Sequence, residues 1–236
     1  MTQKQATELI IKNAIPYFNE RGWEHKKVRR NEAIFINTTT GSINKIGIST
    51  SDYNPEQLIG FGIGKRIEEV EEIMVKINEK IPFSNPPYTR DENTLYLLDK
   101  GNSLNREDKS YCTTEEDIVY NLNKIYDYLD NYALPLLESF NDLREIDKLI
   151  NGEGENFWED DWKKPFNLAG RFYLRRLIIA KLSGRKDYNE FIENHITKIE
   201  KLSKEQGEKF DRNDLTDELV YCIHLLKTVE PLKPSC

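Results

Sequence analysis

The chain has 236 residues, a net charge of −7 and a pI near 5.2. With 38% hydrophobic and 32% charged residues the chain is more polar than an average globular protein, but its 11% aromatic residues exclude a disordered chain. We therefore expect an ordered fold built in thin layers, in which Tyr and Phe supply much of the buried area. An acidic chain is repelled on average by nucleic acid and anionic membranes, and no apolar run is long enough to span a membrane. Residues 1–10 lack a signal-peptide pattern, and three scattered cysteines form no disulfide framework. We therefore expect a cytoplasmic protein without a membrane partner.

The first eighty residues alternate between helical and strand patterns. Apolar residues at helical spacing predict a helix over 7–19, in which Pro16 should kink or shorten the last turn. β-Branched and aromatic residues predict three strands of an antiparallel meander, over 33–37, 43–49 and 58–64. A second helix over 66–80 has an apolar stripe. Four of its glutamates are expected to face solvent: Glu68, Glu69, Glu71 and Glu72.

The remaining sequence is mainly helical after a short fourth strand at 94–98. Thr113 and Glu116 form a capping box for a long helix that Pro135 should bend or end. Four further helices are predicted, over 143–150, 166–182, 188–202 and 215–229. The fold class is therefore α+β, with a small antiparallel sheet and helices in the N-terminal half and a helical C-terminal half. We expect two subdomains, 1–110 and 111–236.

Part of the sequence resembles an uncharacterised bacterial family, domain of unknown function 4304. The residues that carry this resemblance are Ile15-Pro16-Tyr17-Phe18, Gly22-Trp23, the basic stretch through Arg30, Ile34–Asn37, Ile59–Gly64 with the acidic helix after it, and Leu177–Gly184. The resemblance implies a fold and a bacterial origin. It supplies no catalytic residues. Related domains of unknown function occur among candidate immunity or toxin-neighbourhood proteins.

The run Gly60-Phe61-Gly62-Ile63-Gly64-Lys65 invites comparison with phosphate-binding loops. A P-loop has four residues between its first glycine and its Gly-Lys pair, followed by Ser or Thr. Here three residues intervene and Arg66 follows the lysine. The dinucleotide-binding pattern also fails, because only one residue separates Gly62 from Gly64. We interpret the run as a strand whose glycine face lets a helix approach closely.

The histidines and cysteines do not predict a reactive site. His195 lies in an apolar helical stripe and would face His224 if the two helices pair antiparallel, but a zinc site needs further ligands. Cys112 precedes a helix, where the helix dipole would lower the pKa of a thiol, yet no oriented base accompanies it. We therefore assign no catalytic, cofactor-binding or metal-binding residues and no cofactor.

A short segment near residue 160 combines tryptophan with carboxylates. Trp is enriched at interface hot spots, and acidic surroundings speed association with a basic partner. The alternative is a loop plug, in which Trp158 and Trp162 tuck beneath the helices. Residues 158–162 are called the acid–Trp segment below. Its candidate partner-binding residues are Trp158, Glu159, Asp160, Asp161 and Trp162.

Three functions follow as hypotheses. The favoured one is a non-enzymatic, immunity-like protein that binds a basic protein partner. The second is a hydrolase or transferase with a site between the two halves. The third is nucleic-acid binding through residues 21–30, where basic side chains surround Trp23. Glu20 and Glu24 dilute that basic segment, so a solvated linker is the better interpretation and nucleic acid is an unfavoured partner.

Overall fold

The computed structural model describes residues 1–29, 31–81, 94–97, 110–152, 166–168, 171–206 and 212–232. It confirms an α+β fold with a small antiparallel sheet. The chain forms two compact units. The first contains Met1–Ile67, Leu95–Ser139 and Pro165–Asn167, and the second contains Glu68–Thr94, Phe140–Lys164 and Leu168–Cys236. Neither unit ends at residue 110, where the sequence placed the division.

The elements alternate along the chain. The helices are α1 (Gln3–Glu20), α2 (Glu68–Lys80), α3 (Glu115–Tyr128), α4 (Leu134–Ser139), α5 (Leu143–Asn151), α6 (Phe172–Leu182), α7 (Tyr188–Gln206) and α8 (Arg212–Leu226), with a π-helix at Leu129–Ala133 between α3 and α4. The strands are β1 (Glu24–Arg29), β2 (Glu32–Thr39), β3 (Ser42–Tyr53), β4 (Glu56–Ile67), β5 (Leu95–Leu97), β6 (Tyr111–Cys112) and β7 (Phe166–Leu168).

Helix α1 continues past its proline. A capping box at Thr2 starts the helix, and Gly22, with φ of +73°, follows its end. Pro16 lies inside the helix, which extends to Glu20, so of the two predicted effects of this proline, a kink or a shortened last turn, shortening does not occur. The reason is tertiary packing, because the fully buried Phe18 stacks on Phe35 with ring centroids 4.0 Å apart. That contact holds the last turn in place despite the missing backbone donor.

Strands β1 to β6 form an antiparallel sheet, in which each strand from β1 to β4 pairs with the next and β4 also pairs with β5 and β6. Its strand order is β1-β2-β3-β4-β5-β7, and β6 pairs with β4. The predicted β2–β3 hairpin is confirmed, with Gly41 at φ of +75° in its turn. The basic segment was interpreted as a linker, but Glu24–Arg29 is instead the edge strand β1. Lysines and a register shift at such an edge discourage pairing with other chains.

The inner face of the sheet carries the core of the first unit. Even-numbered residues of β3 and odd-numbered residues of β4 point to this face, and Ile46, Ile48 and Ile59 on it are almost fully buried. Helix α1 covers β3, where the hydroxyls of Thr7 and Thr50 form a buried hydrogen bond of 3.1 Å. The core therefore lies between the inner face and the helices.

The outer face of the sheet is rich in glycine. Gly60, Gly62 and Gly64 occupy every second position of β4 on this face, and Gly47 on β3 is the cross-strand partner of Gly62. Gly62 is exposed, and no atom lies within 4 Å of the position where its Cβ would be. The interpretation that this face admits a closely packed helix is therefore wrong at Gly62. The helices of the first unit pack on the isoleucine face instead, because that face offers apolar area to bury.

Helix α3 begins and ends differently from the predicted pattern. Its capping box joins Thr114 to Asp117, one residue after the predicted pair. Hydrogen bonds from the backbone N–H groups of Thr113 and Thr114 lower the pKa of Asp117 to about 2. At the other end, the N–H of Leu134 donates to the carbonyl of Leu129 and closes the π-helix just before Pro135. The wider turn accommodates the proline and allows α4 to follow.

Helix α6 is the centre of the second unit. Nine of its eleven residues are buried, which confirms the predicted central helix. The prediction that this helix begins at Phe166 was wrong, because Phe166–Leu168 form strand β7. Arg171, next to the helix start, has φ of +54°, a left-handed conformation that costs a non-glycine residue about 1–2 kcal/mol.

The glycines permit a matched stability test. Gly62→Val should raise the free energy of unfolding by about 1 kcal/mol, because the site is open and valine favours strands. Gly152→Ala should lower it by about 1–3 kcal/mol, because its Cβ would lie 2.6 Å from the Lys148 carbonyl oxygen. Urea denaturation of both variants measures these changes. A destabilised Gly62→Val variant would show that the outer face is covered in the folded protein.

Candidate functional site

The second unit contains a fully buried ion pair. Arg175 on α6 donates from Nε and Nη2 to the two carboxylate oxygens of Glu71 on α2, at 2.9 and 2.8 Å. Both side chains have 0% exposure. The hydroxyl of Thr94 donates to the same carboxylate at 2.7 Å. This bidentate geometry satisfies much of the hydrogen-bonding capacity that the two charges lose on leaving water.

The position of Glu71 corrects the sequence analysis. Glu71 was expected on the solvent face of the second helix with its three acidic neighbours, but it is buried beside Val70 and Met74. Its partner Arg175 lies 104 residues further along the chain. The available signal was the pair of arginines, Arg175 and Arg176, in the middle of a helix whose other residues except Lys181 are apolar or aromatic. Buried arginines need carboxylate or carbonyl partners, so their presence implied a buried acid elsewhere.

A second polar cluster surrounds the start of α6. Arg171 pairs with Glu218 on α8 at 2.8 Å, and both side chains are almost fully buried. The hydroxyl of Tyr173 donates to the same carboxylate. His195 on α7 places Nε2 2.9 Å from the carbonyl oxygen of Tyr173. Cys222, one helical turn after Glu218, is also fully buried.

This cluster brings together residue types that many enzymes use, but its protonation states oppose nucleophilic chemistry. Burial, reinforced by the charge of Glu218, raises the pKa of Cys222 to about 12. Burial and the hydrogen bond to Glu218 also raise the pKa of Tyr173. A thiolate or phenolate is therefore disfavoured at neutral pH. As arranged, the cluster ties α6, α7 and α8 together.

The C-terminus of α5 is held by two arginines. Arg176 donates to the carbonyl of Ile150 at 2.7 Å, and Arg185 donates to the carbonyl of Asn151 at 2.8 Å. Arg185 also pairs with Asp147 at 3.3 Å, although burial raises the pKa of this carboxyl. These bonds satisfy carbonyls that a helix end leaves without intrahelical partners. The acid–Trp segment begins seven residues after Asn151 and lies outside the described residues.

The other predicted site residues do not converge. Cys112 has 0% exposure, and burial raises its pKa to about 11 despite a hydrogen bond from Asn121, so the expected lowering by the helix dipole was wrong. His195 is buried, whereas His224 is exposed. Within the described ranges, no group of three or more His, Cys, Asp or Glu side chains is placed to hold a metal ion.

Parts of the basic segment are neutralised by neighbouring carboxylates. Arg21 donates to both oxygens of Asp130 at 3.0 and 2.9 Å and lies 3.8 Å above the ring of Tyr17. Lys26 pairs with Glu24 at 2.7 Å. Cations already paired with carboxylates contribute less to binding phosphates. These contacts count against the nucleic-acid hypothesis.

A buried lysine lies on the inner face of the first unit. Lys65 on β4 has 1% exposure, and its Nζ donates to the carbonyl of Leu137 at 3.3 Å. Burial lowers the pKa of Lys65 from 10.5 to about 8. The cross-strand neighbour of Lys65 is the buried Asn44. This polar pair interrupts the apolar inner face. Because the charged lysine loses its hydration when it is buried, it lowers the stability of the folded state.

Comparisons with known proteins add no relative. The chain matches no protein-family profile, no curated protein and no solved structure. None of the helices described in the structure is long and apolar enough to cross a membrane. Fold and site together define an α+β protein with a meander sheet in one unit and buried ion pairs around a central helix in the other.

The buried ion pair yields a double-mutant prediction. Glu71→Leu or Arg175→Leu alone should lower the free energy of unfolding by about 3–5 kcal/mol, because each leaves a charge buried without its partner. The double variant should be clearly more stable than either single variant, since it removes both charges. Glu72→Leu, at an exposed neighbouring position, should change stability by less than about 0.5 kcal/mol. If the double variant loses as much free energy of unfolding as the two single variants together, Glu71 and Arg175 do not stabilise each other and the prediction fails.

Lys65 yields a pH prediction. Its pKa is lowered in the folded state, so the cost that the charged lysine imposes on folding is fully present below about pH 8. Between about pH 8 and 10.5 unfolding takes up a proton, and this penalty declines as the pH rises. The penalty at pH 7 is about 3 kcal/mol. Lys65→Met should therefore be more stable than wild type at pH 7, by a margin about 1 kcal/mol smaller at pH 9. Urea denaturation at both pH values measures the difference in free energy of unfolding between the variant and wild type. Groups that titrate equally in both proteins cancel in this difference. A difference that does not change between pH 7 and pH 9 would contradict the lowered pKa of Lys65.

Proposed function

We propose that this protein is a non-enzymatic binding protein that recognises a basic protein partner, in the manner of an immunity protein. The observation that carries the proposal is the burial of four groups with catalytic potential in the described residues. Cys112, Cys222, Glu71 and His195 are all at most 2% exposed. A hydrolase or transferase needs such groups within reach of a substrate. Here they stabilise the two units instead.

Charge supports a basic partner. The net charge of −7 gives the protein a field that attracts cationic surfaces and accelerates association with them. Cationic side chains in the described part of the basic segment, Arg21 and Lys26, are paired with carboxylates. The net negative charge, which such pairs leave unchanged, therefore favours a basic partner over an acidic one.

The acid–Trp segment remains the proposed contact site from sequence. Trp158 and Trp162 supply large apolar area, and the three intervening carboxylates supply charge complementarity. The helix that precedes it ends at carbonyls held by Arg176 and Arg185.

Isolation of the complex tests this function. The full-length tagged protein, purified from its own cells, should form a salt-sensitive one-to-one complex with an identified basic protein, measured by native mass spectrometry. Trp158→Ala and Trp162→Ala should each weaken the complex by about 2 kcal/mol or more, roughly thirtyfold, as expected for hot-spot residues. Tyr120→Ala is the matched control, because Tyr120 is 61% exposed on α3.

Two outcomes would overturn parts of this proposal. Equal affinity in wild type and in folded tryptophan variants, with folding checked by circular dichroism, would remove the acid–Trp segment as the contact site. A protein that is recovered alone, or that turns over a substrate, would overturn the binding function itself.

A further inference from the structure

One end of the outer face carries an aromatic corner, defined as Tyr53, Glu56, Leu58 and Tyr111. Tyr53 and Glu56 are cross-strand partners on either side of the two-residue turn that joins β3 to β4. Leu58 pairs with Tyr111 on β6. Because side chains alternate between faces along a strand, these four residues share the face opposite the core. The corner belongs entirely to the first unit.

The corner is open to solvent and has unused polar groups. Tyr53 is 57% exposed, and its ring meets that of Tyr111 edge-on, with centroids 5.7 Å apart and planes inclined at 62°. Glu56 is half-buried, and its carboxylate has no hydrogen bond or ion pair with any described residue. The hydroxyl of Tyr53 is likewise without a partner in the described structure. An aromatic face and a carboxylate therefore stand together at one accessible place.

The same combination occurs elsewhere in this protein with its cation present. The guanidinium of Arg21 lies 3.8 Å above the ring of Tyr17 and donates to both oxygens of Asp130. The ring of Tyr17 is itself supported by a second tyrosine, Tyr126, with centroids 3.8 Å apart. That cluster consists of two tyrosines, one carboxylate and one arginine. The aromatic corner supplies the first three components, and among the described residues no cation lies over the ring of Tyr53 or pairs with the carboxylate of Glu56.

The floor beside the corner leaves room for main chain. Gly60 and Gly62 follow Leu58 on the same face of β4. A Cβ on Gly60 would meet only the Ser49 hydroxyl at 3.5 Å, and one on Gly62 would meet nothing within 4 Å. A face without side chains lets another backbone approach closely.

We propose that the aromatic corner binds an arginine side chain of the partner protein, presented by an extended segment that lies along Leu58 and Gly60. The guanidinium stacks on the exposed face of Tyr53 and donates to the carboxylate of Glu56. Arginine fits better than lysine, because its planar, weakly hydrated head can stack and donate to a carboxylate at once. This inference rests on the proposed function, and it adds a second contact site with a stated residue preference.

A titration with a defined probe tests the corner without the partner. The probe is N-acetyl-arginine amide, and its neutral isostere N-acetyl-citrulline amide is the control ligand. Amide resonances of residues 51–58 and 111 should shift with arginine, with a dissociation constant on the order of millimolar, and should not shift with citrulline. Glu56→Gln and Tyr53→Leu should each weaken binding about fivefold. Tyr120→Leu should leave it unchanged, because Lys124 already lies 4.6 Å above that ring.

The outcomes separate this inference from the proposed function. Shifts that are scattered over the surface, equal for both ligands, or unchanged in folded Glu56→Gln would overturn the arginine site. A partner complex that persists at full affinity in Tyr53→Leu would also overturn it, while leaving the binding function intact. If the protein shows specific shifts with the arginine probe but forms no complex with a partner, the arginine site at the aromatic corner stands and the proposed partner-binding function is overturned.

Discussion

The buried pair of Glu71 and Arg175 is the constraint on which the second unit depends. Removing two charges from water costs several kcal/mol for each ion, so the pair is compatible with folding only when its hydrogen bonds are formed. Two guanidinium bonds and the hydroxyl of Thr94 provide them. Since α2 and α6 each contribute one charge, the pair also selects which turns of these helices meet. Apolar side chains alone would tolerate a shift by a turn more easily.

The first unit is organised by the two-residue period of its strands. One face of β3 and β4 carries most of their isoleucines and the buried polar pair Asn44 and Lys65, and the other carries glycine with polar and aromatic side chains. A slip of one residue would exchange these faces, so the burial of Ile46 and Ile59 fixes the register strongly. The same register places Tyr53 opposite Glu56 on the outer face, and the pairing of β4 with β6 adds Tyr111 opposite Leu58. Packing on one side therefore determines which groups stand together on the other.

Sequence periodicity predicted those elements that have one apolar face. The hairpin around Gly41 and the buried helix α6 were predictable because turn chemistry and a wide apolar arc are local signals. Strand β1 was missed because its charged residues conceal the alternation, and its strand state comes from pairing with β2. Glu71 was missed for a similar reason, since a helical glutamate looks the same whether it meets water or a distant arginine. The corner also depends on a pairing, between β4 and β6, that no local pattern encodes.

The interleaving of the two units has a consequence for biosynthesis. Residues 68–94 belong to the second unit, but the first unit still needs residues up to 139 and a short stretch near 166. Neither core can therefore be completed from a contiguous piece of chain, and a fragment cut at residue 110 would lack α3 from one unit and α6 from the other. On the ribosome, the first unit cannot close until most of the chain has emerged. The apolar face of α2 is made early but has no α6 to pack on until about a hundred more residues have been synthesised, so it needs protection from other chains during that interval.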